Sequence, residues 1–290
     1  MRIIEFVSNF SQNDGMARVA YEIGMRLAKR HEVSAVYRHH SEIPFDFPAK
    51  RLGRREAIRY IASDADVVHT HFGLNLLLAD AAKIYNPKLR HVFTHHVNPP
   101  LGITKSAALA HYGVYGATML GVRLGVDKVV AISNYAKDDF LANYAKPAPT
   151  VIYNGVDTRA FRPDAKAGRA FREKYHIEAS GFIAGYMNRF SPQKNHEMLL
   201  RAAKKMPKDT TVLLAGSEPK KGGTLEKCRS IAKSLNLEDR VKFIGKLPAR
   251  DILGFYNCID VLALPSLWEG FGLPVAEAMA CARQIGRAHV

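Results

Sequence analysis

Two cations, Arg189 and Lys194, stand in the loop that follows an apolar run at 182–187 and precedes a helical pattern. A planar guanidinium and a mobile ammonium in that place can neutralise a diphosphate from two sides. Two solvated surface cations are the alternative, and charge alone does not separate the readings. A second loop carries Pro265-Ser266-Leu267-Trp268-Glu269-Gly270-Phe271-Gly272-Leu273-Pro274 and runs into a helix holding Glu277. Gly270 and Gly272 leave backbone amides open, and Pro274 suits a first helical turn. Glu269 then lies before the helix and Glu277 inside its first turns. One carboxylate can take sugar hydroxyls and the other a ribose diol. An acid near a helix N-terminus is also a routine capping partner. A departing diphosphate gains negative charge as its bond breaks, so cations placed there would lower the barrier.

Histidines form the other cluster. Asp66-Val67-Val68-His69-Thr70-His71 ends one apolar run, and His91-Val92-Phe93-Thr94-His95-His96-Val97-Asn98 ends another. Imidazoles at strand C-termini can hold hydroxyls or handle a proton. They lack the local spacing that marks a metal site. Gly15 opens a helix after the first strand, where backbone N–H groups can approach an anion; simple turn geometry explains a lone glycine equally well. Cys228, Cys258 and Cys281 have neither metal-ligand nor redox spacing and are expected to be ordinary buried thiols.

These residues need elements to hold them, and strand-like runs alternate with helical patterns almost throughout, the signature of parallel α/β units. Strands are predicted at 3–8, 32–37, 67–69, 91–95, 128–132 and 150–153, then at 182–187, 211–215, 241–244 and 260–264. The clearest helices are 16–30, 195–205 and 225–235. The turn-rich stretch Asn154-Gly155-Val156-Asp157 through Phe161-Arg162-Pro163 divides the two sets and places a lobe boundary near Pro163. The fold class is α/β, with two parallel sheets in tandem facing a cleft and ligands expected at the carboxyl ends of the strands.

The chain has 290 residues, 47% of them hydrophobic and 24% charged, enough apolar material for two cores. Its start is too short and too broken by Glu5 for a secretory leader, and no apolar stretch is long enough to span a bilayer, so a cytoplasmic location is expected. The net charge of +15 favours anionic partners: phosphorylated small molecules, acidic lipid or nucleic acid. Nucleic acid is set aside because no binding-module signature appears. The apolar helical region 103–126, with Lys105, His111 and Arg123, is either a packing helix or a peripheral contact with a membrane.

Together these segments resemble the family 4 glycosyltransferases, which have two Rossmann-like lobes in the arrangement called GT-B. The carriers are the 154–163 signature, the Arg189/Lys194 pair, the Glu269-x(7)-Glu277 motif within Glu-Gly-Phe-Gly, Pro265-Ser266 before it and Glu277-Ala278-Met279-Ala280 at its end. The resemblance runs from residue 1 to about 281. It implies a retaining transfer of sugar from a nucleoside-diphosphate-sugar co-substrate to a glycan, lipid-linked or small-molecule acceptor, with no further cofactor and no metal. The implied catalytic residues are His96, chosen over His95 by the Thr-x-His spacing, with Arg189, Lys194 and Glu269. Donor contacts would come from Gly15, Arg189, Lys194, Glu269, Gly270, Phe271, Gly272 and Glu277. Glu277 would hold the ribose and Glu269 the donor sugar. An epimerase or phosphorylase on the same scaffold, and a non-catalytic sugar-nucleotide binder, are the rival readings.

Two departures stand out. Asp14-Gly15 replaces the paired glycines common in that loop. After Cys281 the family's Gly-x-Pro and following strand are replaced by Ala282-Arg283 and a heptapeptide, 284–290, that reads like a translated sequencing adapter. The expected domains are therefore 1–163, an incomplete lobe 164–283 and a non-native tail 284–290. A chain so composed is expected to have weak activity or none.

Overall fold

The computed structural model describes residues 1–10, 15–71, 73–97, 105–144, 147–178, 181–219 and 222–287, with backbone alone at 105–112 and 287. It divides into two compact units, Met1–Asn154 and Gly155–Val290.

Unit 1 is built from β1 (Arg2–Val7), α1 (Gly15–Leu27), β2 (Glu32–Tyr37), β3 (Ala49–Arg51), α2 (Arg54–Asp64), β4 (Val67–Thr70), α3 (Gly73–Tyr85), β5 (Arg90–His95), α4 (Lys105–Leu124), β6 (Lys128–Ala131), α5 (Asn134–Tyr144) and β7 (Thr150–Val151). Its seven strands lie in the order β3-β2-β1-β4-β5-β6-β7, all parallel. Both faces are covered, which is why the strands read as nearly continuous apolar runs. Ile3 and Val7 pack under α1 with Ala17 and Ala20, while Ile4 and Phe6 pack under α2 and α3 with Ala57, Ile61 and Ala79. Glu5 shares the face of Ile3 and Val7. The edge strand β3 has no counterpart among the predicted strands because Ala49-Lys50-Arg51 is polar and mostly exposed.

Unit 2 comprises α6 (Ala165–Lys174), β8 (Ile183–Met187), a 3₁₀ turn (Pro192–Lys194), α7 (His196–Ala203), β9 (Thr211–Ala215), α8 (Leu225–Ser234), β10 (Val241–Gly245), α9 (Ala249–Cys258), β11 (Val261–Leu264), α10 (Leu273–Ala280) and β12 (Gln284–Arg287). The parallel sheet runs β10-β9-β8-β11-β12.

The boundary falls at Asn154/Gly155, at the start of the turn-rich stretch and ahead of Pro163, because that stretch packs onto unit 2: Phe161 is buried in its core, and the backbone N–H of Asp164 donates to Asn257 Oδ1 at 2.7 Å. Residues 284–287, read from the sequence as part of a non-native tail, pair with β11 and place Ile285 opposite Leu262. An open parallel edge offers backbone donors and acceptors that ignore sequence, and Ile285 is apolar enough to pack beside the core. Residues 288–290 lie outside the described residues.

Strand order reverses once in each sheet, between β1 and β4 in unit 1 and between β8 and β11 in unit 2. A reversal opens a crevice at the strand ends, because the flanking connections leave toward opposite faces. The loops after those four strands are therefore the places to look.

Candidate functional site

In unit 2, the loop after β8 carries Arg189 and Lys194, and the loop after β11 carries Glu269. Their meeting is built by the backbone. Pro192 starts the 3₁₀ turn, and Asn195, in the left-handed region at φ 50°, ends it and opens α7. The Leu267 N–H donates to the Gln193 carbonyl at 2.9 Å, and Gln193 Nε2 donates to the Trp268 carbonyl at 3.1 Å. The buried Tyr186 hydroxyl donates to the Lys194 carbonyl at 2.9 Å and accepts from Ser266 at 2.8 Å, which ties β8 to both loops.

On this frame Lys194 Nζ donates to Glu269 Oε1 at 2.7 Å. Lys194 is buried, and desolvation pushes its pKa down against the pull of Glu269. The Arg189 guanidinium adds to that downward push, so the two cations sense one another, although Arg189 is exposed.

Gly272, at φ 81°, caps α10 in a conformation that side chains resist, and Pro274 occupies the first turn. Gly270 and Phe271 are half-buried between this cap and Glu269. Glu277 is 2% exposed and accepts from the Tyr256 hydroxyl at 2.5 Å. The structure thus joins Lys194 to Glu269 directly, leaves Arg189 to act on Lys194 through its charge alone, and holds Glu277 by a separate anchor on α9.

Gly216 has a part that the sequence did not reveal. Its φ is 148°, and a Cβ there would sit 1.8 Å from the Asn188 carbonyl oxygen. Asn188 and Phe190 donate to the Ala215 and Ser217 carbonyls at 2.9 Å, so the arginine-bearing loop lies directly on this glycine.

Unit 1 gathers a different set. Register places Glu5 of β1 opposite His69 of β4, with His71 two residues on. His69 Nδ1 donates to Glu5 Oε1 at 3.1 Å and His71 Nε2 to Glu5 Oε2 at 3.0 Å. His69 Nε2 meets Thr94 Oγ1 at 2.8 Å, and His71 Nδ1 meets His96 Nε2 at 3.1 Å. Glu5 is wholly buried beneath α1, where Gly24 permits the close approach. Burial alone would raise its pKa, but the charge and hydrogen bonds of the imidazoles prevail and hold it at about 2. Burial pushes His71 down to about 4 and His96 well below the usual histidine range.

Glu5, His69 and His71 place one ligand atom each within 4.8 Å of one another, a spacing that could hold a metal ion. All four ring nitrogens of His69 and His71 are already engaged in the hydrogen bonds above, so protons satisfy the cluster as it stands. His95 takes a different path: Nε2 pairs with Asp139 Oδ2 at 2.7 Å, and its ring packs against Phe140 and Tyr144. Val97, just after His96, has φ 149°, a region that β-branched residues rarely adopt. Gly15 is the first residue of α1, and the preceding Ser11–Asp14, like Asn98, lies outside the described residues. Cys228, Cys258 and Cys281 are buried free thiols.

The model of Glycosyltransferase Family 4 matches residues 13–160, half of the chain. The chain belongs to glycosyltransferase family 4. The model of glycosyl transferases group 1 matches residues 169–283, which carry the Arg189, Lys194, Glu269 and Glu277 loops. Among curated relatives, a D-inositol 3-phosphate glycosyltransferase of Mycolicibacterium vanbaalenii is 31% identical over 246 residues, covering 78% of this chain and 52% of the relative. That of Salinispora tropica is 29% identical over 272 residues, covering 86% and 55%. The chain thus spans about half the length of the curated relatives it matches. The solved structure of Anabaena HepE in complex with UDP and glucose shares the fold at a TM-score of 0.81 and 19% identity, over 98% of this chain and 80% of that one. Sucrose-phosphate synthase from Thermosynechococcus elongatus gives 0.81 at 20% identity, over 100% and 81%.

For this family 4 chain, the sequence missed Glu5, Tyr186, Tyr256 and Gly216. A lone acid inside Ile3-Ile4-Glu5-Phe6-Val7 was the available signal for the first. An acid in a fully buried parallel strand must find partners. The other three depend on contacts between distant segments.

Proposed function

We propose that the protein transfers a glycosyl group, with retention, from a nucleoside-diphosphate sugar to a hydroxyl of a glycan, lipid-linked or small-molecule acceptor. The observation that carries this reading is the pairing of buried Lys194 with half-buried Glu269, in loops at the strand-order reversal of unit 2 that also carry Arg189. In the proposed reaction the bond from the anomeric carbon to the diphosphate oxygen breaks while positive charge spreads over the sugar ring. Lys194 and Arg189 stabilise the departing diphosphate, and Glu269, released from Lys194, accepts donor-sugar hydroxyls. Glu277 takes the ribose diol, and the amides around Gly270, Phe271 and Gly272, with Gly15 of unit 1, complete the donor contacts. The acceptor oxygen attacks from the leaving-group face, and its proton passes to the diphosphate oxygen. His96 faces the sugar. Losing one such charged contact in a dry site costs roughly 2.7–4 kcal/mol of barrier.

UDP, which HepE holds in its crystal structure, is the nucleotide to try first. The names of the curated relatives make a phosphorylated polyol the first acceptor to try, and the net charge of +15 suits it. No helix among the described residues is long and apolar enough to cross a membrane. Leu120 and Leu124 are exposed on α4 beside Arg123, which supports a peripheral contact with acidic lipid. Salt-sensitive co-sedimentation with anionic vesicles is the expected outcome, and none at low salt contradicts that contact. Proton and phosphorus NMR of donor–acceptor mixtures tests the reaction. The expected products are nucleoside diphosphate and a glycoside of unchanged anomeric configuration. An isomerised donor or a sugar 1-phosphate would instead assign the epimerase or phosphorylase reading.

A further inference from the structure

We propose that Glu5 and His71 are positioning residues that hold the His96 ring with its proton on Nε2 and its Nδ1 lone pair presented to a substrate hydroxyl. The substrate half of this rests on His96 being the sugar-facing residue of unit 1.

Proton inventory along the chain of side chains fixes each tautomer in turn. An ionised carboxylate has no proton to give, so both imidazole nitrogens facing Glu5 must bring their own. These are His69 Nδ1 at 3.1 Å and His71 Nε2 at 3.0 Å. His71 is neutral at physiological pH, since burial pushes its pKa down to about 4. Its single proton is therefore the one on Nε2, and its Nδ1 is a bare acceptor. His96 Nε2 stands 3.1 Å from that nitrogen and must be the donor. His96 is neutral as well, with one proton, so its own Nδ1 is left with a lone pair. One carboxylate decides a tautomer two side chains away, as a buried acid does for the histidine of a hydrolase triad.

The fold makes this relay stiff. Glu5 and His69 are register partners in adjacent strands, β4 pairs with β5, and His96 directly follows β5. Thr94 holds the outer nitrogen of His69 at 2.8 Å, and α1 seals Glu5 from water through Gly24. His95 is engaged by Asp139 and does not compete for His71. An Nδ1 so fixed accepts a hydrogen bond and cannot offer one, which favours a hydroxyl over a carbonyl or phosphate oxygen as its ligand.

The test is NMR of the 290-residue protein with nitrogen-15-labelled histidine. The expected result is a coupling across the hydrogen bond between His96 Nε2 and His71 Nδ1, with His96 Nδ1 resonating as an unprotonated nitrogen. Glu5→Gln replaces two acceptor oxygens with one oxygen and one donor nitrogen. Either His69 or His71 must then move its proton to its other nitrogen, and His96 reverses with His71. His71→Phe keeps a ring in place and should abolish the coupling. No coupling in the wild type, a proton on His96 Nδ1, or a folded Glu5→Gln with all three tautomers unchanged would overturn the proposal. A coupling seen in full, with His96 Nδ1 unmoved by saturating UDP-glucose and polyol acceptor, refutes the substrate half and leaves the positioning half standing.

Discussion

The two strand-order reversals carry opposite chemistry. Unit 1 lines its strand ends with imidazoles around one buried carboxylate, linked to one another and to Thr94 by hydrogen bonds. Unit 2 puts full charges on loops, with Lys194 paired to Glu269 and Arg189 left exposed. In the proposed reaction the first arrangement would orient a neutral ring, and the second would offer its cations to a diphosphate. On that proposal similar sheets serve two tasks, set by the loops at their carboxyl ends.

The contrast is most exposed to disproof at Gly216. Gly216→Ala forces a Cβ against the Asn188 carbonyl and should destabilise unit 2 by more than about 3 kcal/mol. Trp268, the chain's single tryptophan, lies in unit 2 and reports its denaturant midpoint by fluorescence. A midpoint within error of wild type would mean that the loop does not rest on this glycine.

Acid separates the units next. Glu5 has a folded pKa of about 2 against 4.5, so its contribution is present above 4.5 and lost as pH falls toward 2. His71, at about 4 against 6.5, stays neutral in the folded chain while the unfolded chain takes up a proton, so stability falls between pH 6.5 and 4. Burial depresses His96 too, while in unit 2 the matching group is His196, held at about 4. Hydrogen exchange at pH 7 and pH 4.5, corrected for intrinsic rates, should show a greater loss of protection in β1 and β4 than in β8 and β11. Equal losses would deny unit 1 its special histidine network.

Smaller effects distinguish the units further. Arg189→Ala should weaken nucleoside diphosphate binding about tenfold, or about 1.4 kcal/mol, as an exposed partner to a buried lysine. Calorimetry reads this, and an unchanged affinity removes Arg189 from the clamp. Gly116→Ala, on the open face of α4, meets nothing within 4 Å and should raise stability by about 0.5–1 kcal/mol in thermal melts followed by circular dichroism. A loss of stability there would mean that α4 is covered.

How much of this was legible in the sequence depends on how local the signal was. The alternation of strands and helices, the Arg189/Lys194 spacing and the Glu269-x(7)-Glu277 motif are local, and the corresponding elements form where the patterns lie. β3 was missed because its residues are polar, and a strand at Gln284–Arg287 was not expected because pairing there draws on the free edge of β11 as much as on its own sequence. Glu5 was seen only as an interruption of an apolar run. Its role depends on the register of β1 against β4, which no single segment encodes. Tyr186 and Tyr256 were hidden for the same reason: their hydroxyls reach partners on distant segments.

If unit 2 is charged in order to receive a nucleoside diphosphate, its buried lysine must bear most of that binding. Calorimetric titration of UDP into wild-type protein and Lys194→Ala decides the matter. Saturable binding by the wild type and a weakening of about a hundredfold or more in the variant, about 2.7 kcal/mol, is the predicted result. Equal affinity in the two proteins, or no binding of any nucleoside diphosphate by the wild type, would contradict it.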